Sequence, residues 1–282
     1  MVNIMNSPEE AKRKNKAKDD KDLAVQESLG RISRKFVVMS GKGGVGKTST
    51  SVNLAVALAR KGHRVGLMDV DLHGPDIPRV LGRMEMLGIS KNNKLEPIRY
   101  SDNLKVVSIE SLSVNKDDAI IWRGPIKYSA IRQFIGEVEW GDLDFLLIDS
   151  PPGTGDEPLT VAQNIPEAMA IVVTTPQEVS LADVRKSISF CRVVKMGIFG
   201  IVENMSGCVC PHCGGDVGLF GTGGGEKTAQ ALGVPFLGRI PFDPKVVECG
   251  DAGLPYQERY PESPATRAYE AIAERMAAEG AS

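Results

Sequence analysis

The run Gly41-Lys42-Gly43-Gly44-Val45-Gly46-Lys47-Thr48 has the residue types and spacing of a phosphate-binding loop, G-x-x-x-x-G-K-[ST]. Its glycines let consecutive backbone amides curve around phosphate oxygens, Lys47 reaches the β- and γ-phosphates, and Thr48 is placed to ligate magnesium. Ser49 completes the set of candidate nucleotide contacts at the start of the helical stretch, whose positive end favours an anion. A dinucleotide-binding loop is excluded, because the spacing is not G-x-G-x-x-G and a phosphate-gripping lysine ends the run.

Three carboxylates stand where apolar strands would release the chain toward such a ligand. Val65–Met68 runs into Asp69-Val70-Asp71, and Phe145–Ile148 runs into Asp149-Ser150-Pro151-Pro152-Gly153. Asp149 is the candidate magnesium holder, acting through water. Asp71 is the candidate for orienting an attacking water, and Asp69 a neighbour tied to magnesium or to the phosphate loop. His73 reads as a loop histidine.

The thiols form a second constellation. Of five cysteines, Cys208, Cys210 and Cys213 fall together, while Cys191 and Cys249 are isolated. In a reducing compartment such a cluster points to metal or redox chemistry more than to a structural bridge. Cys210-Pro211-His212-Cys213-Gly214 is a knuckle that aims two thiolates at one metal. Tetrahedral zinc and iron–sulfur clusters take four protein ligands, and the same pair on a two-fold-related subunit would complete four. A structural zinc knuckle is the competing reading, with His212 and the three cysteines as an awkward alternative ligand set.

These groups need a scaffold. Apolar runs without alternation are predicted strands at Phe36–Ser40, Val65–Asp69, Val106–Ile109, Phe145–Asp149, Ala170–Thr174, Ile198–Val202 and Phe236–Ile240. Helical patterns lie between them at Lys47–Arg60, Gly124–Ile135, Ser180–Val194, Glu226–Leu232 and Pro264–Met276. Buried strands separated by helices describe an α/β fold, a mostly parallel sheet covered on both faces. One domain over residues 35–282 is expected, with a cysteine-bearing loop at about 205–225. Residues 1–34 read as a charged tail with a short helix near Leu23–Leu29.

At 282 residues, with 42% hydrophobic and 25% charged residues, the chain is large enough for a full core. A formal charge of −2 excludes a global basic field for nucleic acid or an anionic membrane. No apolar run approaches the ~20 residues of a membrane span, and the charged N-terminus is not a secretory signal. A cytoplasmic protein is expected. The C-terminal amphipathic stretch has a small apolar face and mixed charge, so it is expected to pack on the domain and not to anchor a membrane.

GKGGVGKT, DVDLHGPDIP, IDSPPGTGDE, NMSG followed by CPHCG, and IPFDP occur in the order and approximate spacing of the Mrp/NBP35 group of ATP-binding iron–sulfur carriers. The chain resembles that group over about residues 35–275. The resemblance implies a MinD-like P-loop NTPase fold, homo- or heterodimerisation, of which a homodimer is expected here, ATP hydrolysis with Mg2+, and a transferable [4Fe-4S] cluster bridging two subunits through Cys210 and Cys213. Apo iron–sulfur proteins would be acceptors, and scaffold or donor proteins would supply the cluster. Lys42 resembles the signature lysine of deviant Walker A loops, which reaches across a dimer to the partner's nucleotide. Asn204 would read adenine, helped by backbone near Pro241. Cys208 is left undecided. A MinD/ParA-like positioning switch and a nitrogenase-iron-protein-like electron donor are the other classes that share this fold.

Overall fold

The computed structural model describes residues 21–72, 74–112, 124–208, 213, 215 and 217–278. A helical segment, α1 (residues 21–30), leads into strand β1 (Ile32–Ser40), the phosphate-loop sequence, α2 (Lys47–Arg60), β2 (Val65–Asp69) and the short α3 (Ile77–Val80). A small hairpin of β3 (Gly88–Ile89) and β4 (Leu95–Glu96) precedes β5 (Ile98–Ser101), β6 (Leu104–Ser108), α4 (Gly124–Gly136), β7 (Leu143–Asp149) and α5 (Asp156–Asn164). The chain continues through β8 (Met169–Thr174), α6 (Glu178–Val193), β9 (Gly197–Glu203), α7 (Gly224–Leu232) and β10 (Phe236–Arg239). It closes with α8 (Pro244–Asp251), α9 (Tyr256–Arg259) and α10 (Pro264–Ala278).

Among the described residues, eight strands form one sheet in the order β10-β9-β8-β1-β7-β2-β6-β5. Every neighbouring pair is parallel except β5 with β6. Strand β1 alternates, sending Phe36 and Val38 to one face and Val37 and Met39 to the other. The first face is covered by α2, α3, α8, α9 and α10, and the second by α1, α4, α5, α6 and α7. Both faces are buried, which is why the strands read as unbroken apolar runs. Phe36 anchors the first layer, its ring meeting Phe145 at 6.4 Å and Phe199 at 5.0 Å.

Several boundaries differ from the sequence expectation. Ordered structure does not wait for Lys35: β1 begins at Ile32, and Val25 and Leu29 of α1 are buried in the second layer. Helix α5 was not expected, because its sequence follows Pro-Pro-Gly-Thr-Gly and contains Pro158. Proline in a first turn removes only an amide that has no intrahelical partner, so the helix forms. The edge strand β5 is short and alternates in burial, too weak a local pattern to stand out. Helix α10 packs on the domain as expected, with Ala265, Tyr269, Ile272, Ala273 and Met276 buried beside α2. Among the described residues no helix is long and apolar enough to cross a membrane.

Candidate functional site

The C-terminal ends of β1, β7 and β2 lie side by side, with Val38 in register with Asp149 and Asp149 with Asp69. Chain direction on the sheet changes at β1, since β2 lies beyond β7 on one side and β8 on the other. Crevices at such switch points are where open α/β sheets present ligand groups. The phosphate loop leaves β1 there and is braced by Ser40 Oγ, which donates to the Lys42 carbonyl at 2.9 Å. Gly46 adopts φ 79°, and a Cβ there would lie 2.2 Å from Asn204 Nδ2, so only glycine permits this entry into α2.

Asp149 is the hub of the site. Its Oδ2 accepts from Lys47 Nζ at 2.7 Å and from Thr48 Oγ1 at 2.8 Å, and its Oδ1 accepts from Ser51 Oγ at 2.5 Å. Lys47 and Asp149 are both buried, so each ion compensates the other's desolvation. Ser51 was missed in the sequence, although it follows Lys47 by four residues and therefore shares its helical face.

Asp69 is fully buried and does not line the cleft. It accepts from the Asp71 amide at 3.1 Å, Ser108 Oγ at 3.2 Å and the Ile77 amide at 3.4 Å. Burial, reinforced by the charge of Asp149 and opposed by Lys47, pushes its carboxyl well above the usual range. The arrangement fixes the turn that carries Asp71, whose own Oδ1 accepts from the Gly74 amide at 3.2 Å. His73 lies outside the described residues.

Asp71 faces a cleft of about 310 Å³ that it shares with Lys42, Gly43, Gly44, Gly46, Lys47, Thr48, Ser49 and Pro152. A Cβ at Gly43 or Gly44 would meet nothing within 4 Å, so this part of the cradle is open. Gly41, in contrast, packs against helix α6, where a Cβ would lie 2.4 Å from that of Asp183. On the far side of Gly46 and Ser49 a narrower pocket of about 40 Å³ is lined by Asn204, Met205, Pro241, Phe242 and Tyr269. Val45, enclosed in the loop, is buried, and its carbonyl accepts from Asn204 Nδ2 at 2.9 Å. Asn204 and Pro241 thus stand together beside the loop.

Beyond Asn204 the chain enters the cysteine loop. Cys208 is half-buried and forms an isolated parallel bridge with Phe242, and Cys213 is exposed. Cys210 and His212 lie outside the described residues. Among the described residues no group of three or more metal-binding side chains stands together. Cys191 and Cys249 are buried in the two core layers, and burial pushes both thiols up, Cys191 to about 11.

Residues 31–277 match the family of NUBPL iron-transfer P-loop NTPases, within the ParA group. An iron–sulfur cluster carrier protein of Methanocaldococcus jannaschii is 51% identical over 235 residues, covering 83% of this chain and 81% of that protein. The nucleotide-binding protein of Archaeoglobus fulgidus in complex with ADP superposes with a TM-score of 0.75 at 38% identity, covering 87% of this chain and 95% of that one. The cell-division ATPase MinD of Pyrococcus furiosus shares the fold, with a TM-score of 0.64 at 25% identity over 87% of this chain and 98% of that one. With a phosphate loop at the switch point of a MinD-like sheet and a family match over residues 31–277, the protein belongs to the NUBPL iron-transfer P-loop NTPases.

Proposed function

We propose that the protein is an ATP-hydrolysing carrier that holds a [4Fe-4S] cluster between two copies of itself and passes it to apo iron–sulfur proteins. The single observation that carries this reading is the continuity of one segment. Asn204 touches the phosphate loop, and four residues later the chain enters the loop bearing Cys208, Cys210 and Cys213. Membership of an iron-transfer family supports the cargo, and the carrier relative supports the activity.

The residues present suit Mg-ATP. Thr48 Oγ1 and Asp149 Oδ2 are hard oxygen donors 2.8 Å apart, the chemistry magnesium prefers, while the open glycine cradle leaves room for phosphate oxygens. Bound there, magnesium would neutralise phosphate charge. Lys47 would hold the β- and γ-phosphates, Lys42 of a second copy would add charge as the phosphoryl oxygens gain it, and Asp71 would orient water. Asn204 and the backbone at Pro241 would receive adenine.

Each chain supplies two knuckle thiolates, Cys210 and Cys213, so four irons find four ligands only in a pair. Donors of the cluster would be scaffold proteins in the cytoplasm, and acceptors apo iron–sulfur proteins. Anaerobic reconstitution, with iron and sulfide analysis and native mass measurement, tests this. About four iron and four sulfide per dimer are expected from the ligand count; a stable cluster on a monomer, or zinc that resists exchange, overturns it.

A further inference from the structure

Glu203, the last residue of β9, is fully buried and has no place in the nucleotide cleft or among the thiols. One of its carboxylate oxygens accepts from Ser206 Oγ at 2.5 Å and from the Gly223 amide at 2.8 Å, and the other accepts from the Gly225 amide at 2.5 Å. Ser206 lies just before the cysteine loop, and Gly223 and Gly225 just after it, so a single carboxylate ties both feet of that loop to the sheet.

The local structure is built for this carboxylate. Gly223, at φ 85°, caps α7, and a Cβ at Gly225 would lie 3.0 Å from Glu203 Oε2. Free amides at a helix N-terminus attract an anion, which here comes from within the chain. Arg239 flanks it, with Nε 3.9 Å from Glu203 and a hydrogen bond to Glu226. The feet are further joined by Ser206 Oγ with Thr222 Oγ1 at 3.1 Å and by the Gly207 amide donating to the Gly221 carbonyl at 3.0 Å.

The same few residues also border the nucleotide pocket. Asn204 bonds the phosphate loop, and Met205, a non-glycine residue at φ 55°, lines the narrow pocket beside it. Phe242 lines that pocket too, while its amide donates to the Gly207 carbonyl at 3.1 Å and its ring meets Phe220 of the loop at 5.5 Å. A left-handed methionine persists where the surrounding structure over-determines it, and its two neighbours, Asn204 and Ser206, are each held by a side-chain hydrogen bond.

We infer that Glu203 is a positioning residue that seats the cysteine loop and transmits nucleotide occupancy from the Asn204 side to the thiol-bearing side. The inference rests on the carrier reading for what the loop holds, but not for the clasp itself. The clasp is therefore testable on the full chain without any cluster.

Glu203→Gln keeps the volume and turns one acceptor into a donor that opposes an amide or hydroxyl. Hydrogen exchange of the backbone across residues 206–225 would be followed with and without Mg-ADP, together with Mg-ADP affinity. In the unsubstituted chain Mg-ADP is expected to change exchange in this segment. In Glu203→Gln, exchange at 217–225 is expected to be about tenfold faster, the loss of one charge-assisted hydrogen bond. Mg-ADP affinity should stay within about twofold, and the nucleotide response of the loop should vanish. Ser206→Ala, which leaves both amide bonds, should show a smaller acceleration in the same direction and serves if Glu203→Gln does not fold. Unchanged loop exchange in either folded variant, or an undiminished Mg-ADP response in Glu203→Gln, overturns the assignment. Absence of a cluster in the unsubstituted protein would instead count against the carrier reading and leave the clasp intact.

Discussion

Lys47 Nζ lies 2.7 Å from Asp149 Oδ2, two buried ions joined from the start of α2 and the end of β7. The pair makes the candidate nucleotide site part of the core's electrostatics, so its residues carry stability as well as chemistry. Removing one buried ion strands the other.

Lys47→Ala is accordingly expected to lower the stability of the nucleotide-free protein by about 3–5 kcal/mol and ATP turnover by about two to three decades. Most of the stability should return in a Lys47→Met, Asp149→Leu double variant, while turnover should not. Denaturant unfolding and phosphate-release assays on the same preparations separate the two effects.

Gly46→Ala should cost more than Gly43→Ala. At Gly46 the added Cβ meets both a left-handed φ and the Asn204 amide nitrogen, whereas at Gly43 it meets nothing within 4 Å. A stability loss of about 1–3 kcal/mol is expected for Gly46→Ala, with loss of nucleotide binding by titration. Equal thermal transitions for the two variants would contradict the packing described for Asn204.

Lys42→Ala should retain ATP binding and lose turnover. If Lys42 acts on a partner's nucleotide, mixing Lys42→Ala with Asp71→Ala protein restores a site with its own Asp71 and the partner's lysine, so part of the activity reappears. No recovery in demonstrated mixed dimers would count against action across the interface.

Cys210→Ala and Cys213→Ala should each abolish the reconstituted cluster and leave ATP binding intact. Cys191→Ala and Cys249→Ala should retain it, because both thiols are enclosed in the core layers. Absorption spectra and iron content after reconstitution decide each case.

Cys191 also sets an alkaline limit. Its native thiol is pushed up to about 11 by burial, against an ordinary value of 9.0. The unfolded chain therefore ionises first, so the stability this thiol supports is complete below pH 9.0 and is lost as pH rises toward about 11. Urea midpoints at neutral pH and between these limits should fall more steeply for the unsubstituted protein than for Cys191→Ala.

The phosphate loop and the Asp-ended strands were legible because each is a contiguous signal: glycine spacing, an apolar run, then a polar break. The parallel sheet with two covered faces followed from the same runs, since strands buried on both sides cannot alternate. Family resemblance selected the knuckle's thiol pair as bridging ligands and added Asn204, and the fold then set Asn204 and Pro241 beside the loop.

Only tertiary structure decided the rest, because it depends on which distant segments become neighbours. Nothing local in Asp69 says that β2 lies beside β7 in register with Asp149, that three donors hold its carboxyl, or that burial raises it. Ser51 becomes a partner of Asp149 only when α2 crosses the end of β7. Glu203 looks in sequence like the polar end of a strand. Its meaning comes from Gly223 and Gly225, some twenty residues later, whose amides can converge on it only after α7 has packed against β9. Sequence spacing determined the chemistry available; the strand order of the sheet and the packing of helices on it determined which groups share it, since hydrogen bonds and ion pairs act over a few ångströms of space and not along the chain.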